Sequence, residues 1–219
     1  MSLYTSYGRS FDPAPGYGIS APPQPQRGTQ YEVGIKANLS KQLSTTLAFY
    51  DLTRTNVPAT DPNDPNLIIQ VGEQRSRGIE FDVTGEILPG WNIIAGYAYT
   101  DAEITKDTAY PVGNQINLVP KHSFNLWTTY KIQFGSLQGL GFGWGFFFVG
   151  DRQADLENTF ELPSYFRTDA AIFYKHGPLR AALNFKNFFD VGYFETSSDR
   201  VRVIPGDPFT VQGTISWEF

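Results

Sequence analysis

Residues 209–219, Phe-Thr-Val-Gln-Gly-Thr-Ile-Ser-Trp-Glu-Phe, alternate without a break. Phe209, Val211, Gly213, Ile215, Trp217 and Phe219 share one parity, and Thr210, Gln212, Thr214, Ser216 and Glu218 share the other. A period of two is the signature of a β-strand with one apolar and one polar side. The apolar side must be covered, either by a second sheet, as in a soluble sandwich, or by lipid. A strand ending in Trp-x-Phe fits the second case, because aromatic rings favour the membrane–water interface.

The same pattern recurs along the chain. Tyr31, Val33, Ile35, Ala37 and Leu39 form one apolar row, and Leu43, Thr45, Leu47 and Phe49 the next. Ile79-Phe81-Val83, Trp91-Ile93-Ala95-Tyr97-Tyr99 and Phe124-Leu126-Thr128-Tyr130 follow. In Leu140-Phe142-Trp144-Phe146-Phe148 the intervening positions begin Gly141, Gly143, Gly145. Ala170-Ile172-Tyr174 and Leu179-Ala181-Leu183-Phe185 precede the final strand. No segment of ten or more residues keeps a helical period.

The connections also alternate. Short ones fall at 40–42, 88–90, 134–137 and 175–178, and long ones at 12–28, 54–66, 105–120, 154–163 and 190–207. This alternation holds if Leu67 to Ile87 is one long strand, bent at Gly72 or Gly78. The expectation is therefore about ten antiparallel strands, with long loops on one end and short turns on the other, as in bacterial outer-membrane barrels. Glu80, Asp82, Arg180, Asn184, Lys186 and Glu218 would face the lumen. Glu73, Arg75 and Arg77 share the parity of Ile79, so either a bulge resets the register or that stretch stands above the bilayer.

Bulk properties permit this reading. The net charge is −5, which argues against a nucleic-acid partner. Aromatic residues reach 16%, cysteine is absent, and no apolar run is long enough for a membrane helix. A mean hydropathy of −0.29 does not exclude a barrel, which carries its apolar residues at alternate positions. Met1-Ser-Leu-Tyr-Thr-Ser-Tyr7 has neither a basic start nor an apolar core, so no leader is expected there. A C-terminal piece of a longer chain is expected instead.

Several stretches, in order, resemble the TonB-dependent siderophore receptors. They are Tyr31-Glu-Val-Gly-Ile-Lys36, Ala48-Phe-Tyr-Asp-Leu-Thr-Arg-Thr-Asn-Val57 and Val71-Gly-Glu-Gln-Arg-Ser-Arg-Gly-Ile-Glu-Phe-Asp82. Asn117-Leu-Val-Pro-Lys-His122, Asn184-Phe-Lys-Asn-Phe-Phe-Asp190 with Tyr193, and the Phe219 ending complete the set. The resemblance is nearest to ferrichrome- and other hydroxamate-type receptors. It implies an all-β fold: an antiparallel transmembrane β-barrel of about 22 strands around a plug domain. This chain would supply about ten C-terminal strands and no plug. The implied partners are a ferric siderophore, outer-membrane lipid, and the TonB complex through parts absent from this chain. The implied location is the outer membrane of a Gram-negative bacterium. A ten-strand sheet cannot close at that radius, so its two open edges raise edge-to-edge self-association. Another outer-membrane channel, a receptor for cobalamin or another metal complex, and a soluble all-β binding module remain alternatives.

Aromatic and cationic residues near the long connections are the candidate ligand contacts: Tyr110, Arg152, Phe160, Tyr165, Phe166, Tyr193, Arg200 and Arg202. Rings and guanidinium groups suit a flat, anionic iron chelate. The plainer role for most of them is belt or loop packing. No enzyme is expected, since no Ser, His and Asp arrangement suggests nucleophilic catalysis. No cofactor or metal site is expected either. His122 and His176 lack ligand spacing, and Thr60-Asp-Pro-Asn-Asp-Pro-Asn66 lacks that of a calcium loop. The Gly139 to Gly145 run lies within a strand, where it would make a smooth lumenal stripe for a plug or neighbouring chain rather than a phosphate loop.

Overall fold

The computed structural model describes residues 1–13, 22–64, 66–197 and 201–218. Along the chain the strands are β1 (Ser2–Asp12), β2 (Gln26–Asn38), β3 (Leu43–Thr60), β4 (Ile68–Leu88), β5 (Trp91–Lys106), β6 (His122–Lys131) and β7 (Leu140–Val149). The short β8 (Arg152–Gln153) and β9 (Glu161–Leu162) precede β10 (Tyr165–His176) and β11 (Leu179–Lys186). The chain then forms β12 (Phe194–Ser197), β13 (Val203–Pro205) and β14 (Thr210–Trp217). Among the described residues there is no helix. Ten strands make one sheet in the order β1-β2-β3-β4-β5-β6-β7-β10-β11-β14. The pairs β8/β9 and β12/β13 are separate two-stranded hairpins inserted in long connections.

Every neighbouring pair in the sheet is antiparallel, and the register keeps one parity across it. A single row runs Leu3, Ile35, Leu47, Phe81, Tyr97, Phe124, Phe148, Phe166 over eight strands. Parallel rows hold Trp144, Ala170 and Phe185, then Phe142, Ile172, Leu183 and Gly213. No second sheet covers this face among the described residues: Ile172 is 42% exposed, Leu183 47% and Ile215 80%. A soluble sandwich would bury these side chains. Here the apolar face stays uncovered among the described residues, which goes against the soluble-module alternative.

The opposite face is polar. Glu80 lies opposite Ala48 and Ala98, and Asp82 opposite Thr46 and Gly96. Tyr4 donates to Glu32 at 2.7 Å, and the Lys36 ammonium sits 4.8 Å from the Tyr4 ring centroid. Arg180 on β11 pairs with Glu218 just past β14. The six residues expected to face the lumen all carry this parity. Phe219 and residues 14–21 within the Pro-rich connection lie outside the described residues.

Three local features refine the expectations. First, β4 is a single strand of 21 residues, and the bulges fall near Gly72 rather than Gly78. Asn56 takes a left-handed conformation (φ 60°) and drops out of the ladder, after which Val57 faces Gly72. A Cβ on Gly72 would lie 2.8 Å from the Val57 carbonyl oxygen, so the close approach needs glycine. Second, β3 continues to Thr60, so the expected loop at 54–66 shrinks to 61–67. The Asn56 bulge lets the Thr- and Val-rich stretch keep pairing through Pro58. Asp61 and Asp64 form tight Asx turns there, accepting from the Asn63 and Asn66 amides at 2.8 and 3.0 Å.

Third, no bulge separates Arg75 from Ile79, so Arg75 and Arg77 stay on the apolar parity. Their charge is met across the strands: Arg75 pairs with Asp51, and Arg77 with Asp101 at 3.0 Å. The ladder lies one row beyond Tyr99 and His122, and the Tyr7–Tyr31 ring pair, with centroids 5.2 Å apart, continues the row of Asp51, Arg77 and Asp101. Cross-strand ion pairs directly past an aromatic row mark where the apolar band ends.

The glycine stripe on β7 is not open for a plug. The Trp127 ring from β6 lies over Gly143 and Gly145, and Phe173 from β10 over Gly141. A Cβ on Gly143 would lie 2.7 Å from Trp127 Cζ2. The glycines therefore make room for rings of the neighbouring strands.

Ile172→Arg places a cation on the lipid side and is expected to cost about 2–4 kcal/mol, whereas Asn184→Arg on the other face should cost far less. Urea unfolding in phospholipid vesicles measures both. Equal effects would sink the facial assignment.

Candidate functional site

At one end of the sheet the connection after β5 and the β8/β9 hairpin form a small core of their own. Beyond the wall, β5 continues as a scaffold. Ile104 donates to Asn114 O at 2.8 Å, Gly113 donates back to Ile104 O at 2.8 Å, and Ile116 donates to Ala102 O at 3.0 Å. This folds residues 107–121 against the end of β5. The β8/β9 hairpin is then sewn onto that segment. Asn158 (φ 56°) accepts from the Gln115 amide at 2.7 Å and donates to the Gln115 carbonyl at 2.9 Å. Leu118 donates to Gln153 O at 2.7 Å. Ile104, Ala154 and Leu162 are almost fully buried.

A second cluster roots the last long connection to the wall. Asp169 on β10 receives Arg167 Nε and Nη2, each at 3.1 Å, and the Asn187 amide at 2.9 Å. Asn187 is 1% exposed and left-handed (φ 49°). Its side chain donates to Val191 O at 2.9 Å and Asp207 O at 3.0 Å, and accepts from the Val191 amide at 2.9 Å. It thus closes both ends of the connection. Asp190 (φ 51°) receives the Phe209 amide at 2.8 Å. Tyr193, 9% exposed, accepts from Arg167 Nη1 at 3.3 Å and packs against Tyr165, the two rings tilted by 33° with centroids 4.4 Å apart. A Cβ on Gly206 would collide with the Tyr193 ring.

Of the candidate residues, the structure brings Arg152, Tyr165 and Tyr193 together. Arg152 is 3% exposed; its guanidinium lies 5.7 Å from the Tyr165 centroid, and Nη2 donates to Phe194 O at 2.7 Å and Glu195 O at 3.1 Å. Phe166 is not in this cluster. It points to the apolar face, 48% exposed, with its ring 5.9 Å from that of Phe146. Tyr165 and Phe166 are adjacent in a strand, so they must face opposite ways. Tyr110 and Phe160 are half-buried in the other two loops. Burial, then the Glu157 and Asp107 carboxylates, pushes the Tyr110 phenol above its usual range. Arg202 is exposed just before β13, and Arg200 lies outside the described residues. Sequence reasoning missed Arg167, Asp169 and Asn187. An Asn-x-x-Asp pair followed by Tyr193 was legible as a motif, but its partner Asp169 is 18 residues away along the chain.

The two histidines fall on the apolar parity near opposite ends of the wall. His122 Nδ1 is 2.9 Å from Tyr97 Oη, and His176 stacks on Tyr174 with centroids 6.0 Å apart.

The family model for the TonB dependent receptor-like β-barrel matches residues 1–188. The chain belongs to this family. The metal-pseudopaline receptor CntO of Pseudomonas aeruginosa is 35% identical over 215 residues, covering 95% of this chain and 30% of that protein. The ferrichrome outer membrane transporter/phage receptor of Escherichia coli is 34% identical over 229 residues, covering 100% of this chain and 30% of that protein. Among solved structures, the siderophore receptor PiuA of Acinetobacter baumannii superposes with a TM-score of 0.86 at 29% identity, covering 99% of this chain and 33% of that one. The chain thus spans about a third or less of the relatives it matches. It is a partial TonB-dependent receptor barrel of the Gram-negative outer membrane, in a family of transport receptors rather than enzymes.

Asn187→Ala removes the side-chain bonds that close the last long connection of this barrel and is expected to cost about 2–3 kcal/mol. Limited proteolysis should then cut between residues 187 and 209 at least tenfold faster. Cleavage as slow as in the unaltered chain would contradict the anchoring role.

Proposed function

We propose that this chain is the C-terminal part of the barrel of an outer-membrane receptor for TonB-dependent uptake of a ferric siderophore. The observation that carries this reading is an uncovered apolar face in continuous register, with the described parts of the long connections at one end of the wall. In lipid, such a wall must be closed around the barrel, because unpaired strand edges leave N–H and C=O groups without partners. The exposed strands β1 and β14 are therefore joined by further strands of a longer receptor. Pairing of two copies through the same edges is the competing way to satisfy them.

The transport roles follow from position. The outer loops select the chelate, and the wall encloses the path inward. No bond is made or broken in the cargo. Energy arrives from the TonB complex through parts outside this sequence, and the resemblance to hydroxamate-type receptors favours a cargo of that kind. Tyr110, Phe160 and Arg202, together with Arg200, are the direct contacts. The buried Arg152 and Tyr193 and the half-buried Tyr165 hold the loops that present them. Phe166 belongs to the lipid-facing aromatic row.

Purification with and without detergent, followed by size exclusion with light scattering and circular dichroism, tests the wall. The chain should aggregate in buffer and be β-rich in micelles, with the mass reporting whether copies pair. A β-rich monomer in plain buffer would overturn the membrane reading. In the full-length receptor, Tyr110→Ala with Arg202→Ala should weaken ferrichrome binding about tenfold, a loss of roughly 1.4 kcal/mol, read by fluorescence quenching. Unchanged affinity would remove these residues from the contact set.

A further inference from the structure

A cavity of about 400 Å³ opens between the start of β6, the end of β7 and the β8/β9 hairpin. That volume falls in the range of ligand sites. The cavity faces away from the lumen. Two of its lining residues, His122 and Phe148, lie on the apolar parity, and Phe148 continues the row of Tyr97, Phe124 and Phe166. In the hairpin, Arg152 opposes Leu162 and both are buried, whereas Gln153 opposes Glu161, which is exposed and lines the cavity. The result is a polar opening on the outside of the wall, directly above the lipid-facing rings and at the end with the long connections.

Its lining offers both kinds of hydrogen-bonding group. Lys121 donates, Asp151 and Glu161 accept, and the Gln115 and Ser164 side chains do both. Lys121 is exposed, and its ammonium has no ion-pair partner among the described residues. His122 meets Tyr97 Oη through Nδ1 at 2.9 Å, which leaves Nε2 for a ligand. Asp151 Oδ1 accepts from the Ser164 amide at 2.6 Å, so this carboxylate is fixed at the cavity wall. Glu161 receives Gln153 Nε2 at 3.5 Å. Among the described residues no three His, Asp or Glu side chains come close enough to hold a metal ion. A bare phosphate would satisfy Lys121 and be repelled by both carboxylates. A phosphorylated sugar uses all of them, because its hydroxyls donate to carboxylates while its phosphate pairs with the ammonium.

We propose that this cavity seats the phosphorylated sugar headgroup of an outer-leaflet glycolipid. Lys121 holds the phosphate, Asp151 and Glu161 hold sugar hydroxyls, and the acyl chains run down over Phe148, Phe124 and Phe166. The inference rests on the membrane reading above and adds to it a fixed lipid site. The cargo does not compete for this site, because the cavity lies outside the wall.

Photo-crosslinking in the full-length receptor tests this. Ser164 is exposed, and Ser164→Cys carries a benzophenone label to the cavity wall. In phosphatidylcholine vesicles containing lipid A, irradiation should join the label to lipid A. Lys121→Gln should lower the yield about tenfold, through loss of one charge-assisted hydrogen bond, and Lys121→Arg should keep it. Lipid A stripped of its phosphates should react as poorly as intact lipid A does with the Lys121→Gln variant. The proposal is overturned if phosphates make no difference, if Lys121→Gln leaves the yield unchanged, or if phosphatidylethanolamine is captured as well as lipid A. Capture of the receptor's own chain in place of lipid overturns it too. Protease protection in the same vesicles separates the two readings: insertion without capture removes the lipid site alone, and failure to insert removes the membrane reading with it.

Discussion

Every feature of this chain follows from backbone pairing in a medium without water. In hydrocarbon an unpaired N–H or C=O costs several kcal/mol, so the wall must be a continuous ladder. Antiparallel pairing supplies it, and the strict alternation of side chains then assigns each residue to lipid or lumen. Once parity is set at one strand it is set for all ten, because each register transmits it to the next. The row from Leu3 to Phe166 is the visible result. Bulges at Asn56 and near Glu73 lie beyond the charged ladder, where a change of parity no longer exposes charge to lipid.

The wall was legible because its signal is local and repeated. Each strand states its own parity, so Tyr31 to Leu39 or Trp91 to Tyr99 can be read alone. The alternation of short and long connections gave the direction of the strands. What could not be read were contacts between neighbours. Nothing in the Gly141-x-Gly-x-Gly145 spacing says that Trp127 and Phe173 will lie across it, since those rings arrive from strands paired on either side. The fate of Arg75 and Arg77 likewise depended on Asp51 and Asp101, each 24 residues distant.

The loop residues were legible only as a class. Aromatic and cationic side chains near long connections singled out Arg152, Tyr165 and Tyr193, which do meet, and Phe166, which turns away with its strand. The facing of Phe166 was itself readable: β10 begins at Tyr165, so the period-two rule already puts Phe166 on the opposite side from Tyr165. Asp169 and Asn187, which organise the site, have ordinary residue types for a polar face and a turn. Their importance comes from meeting each other, and a sequence carries no mark of that.

The strands differ greatly in length, and this shapes the mouth. β4 has 21 residues and β14 has 8. At roughly 3.4 Å per residue these run about 70 Å and about 27 Å along their own axes. With the short turns level at one end, the excess of β3, β4 and β5 rises as a parapet on one flank, while the β11–β14 flank stays low and carries its loop as a separate hairpin. The rim that this chain contributes is lopsided, and the low flank is the one that carries the β12/β13 hairpin.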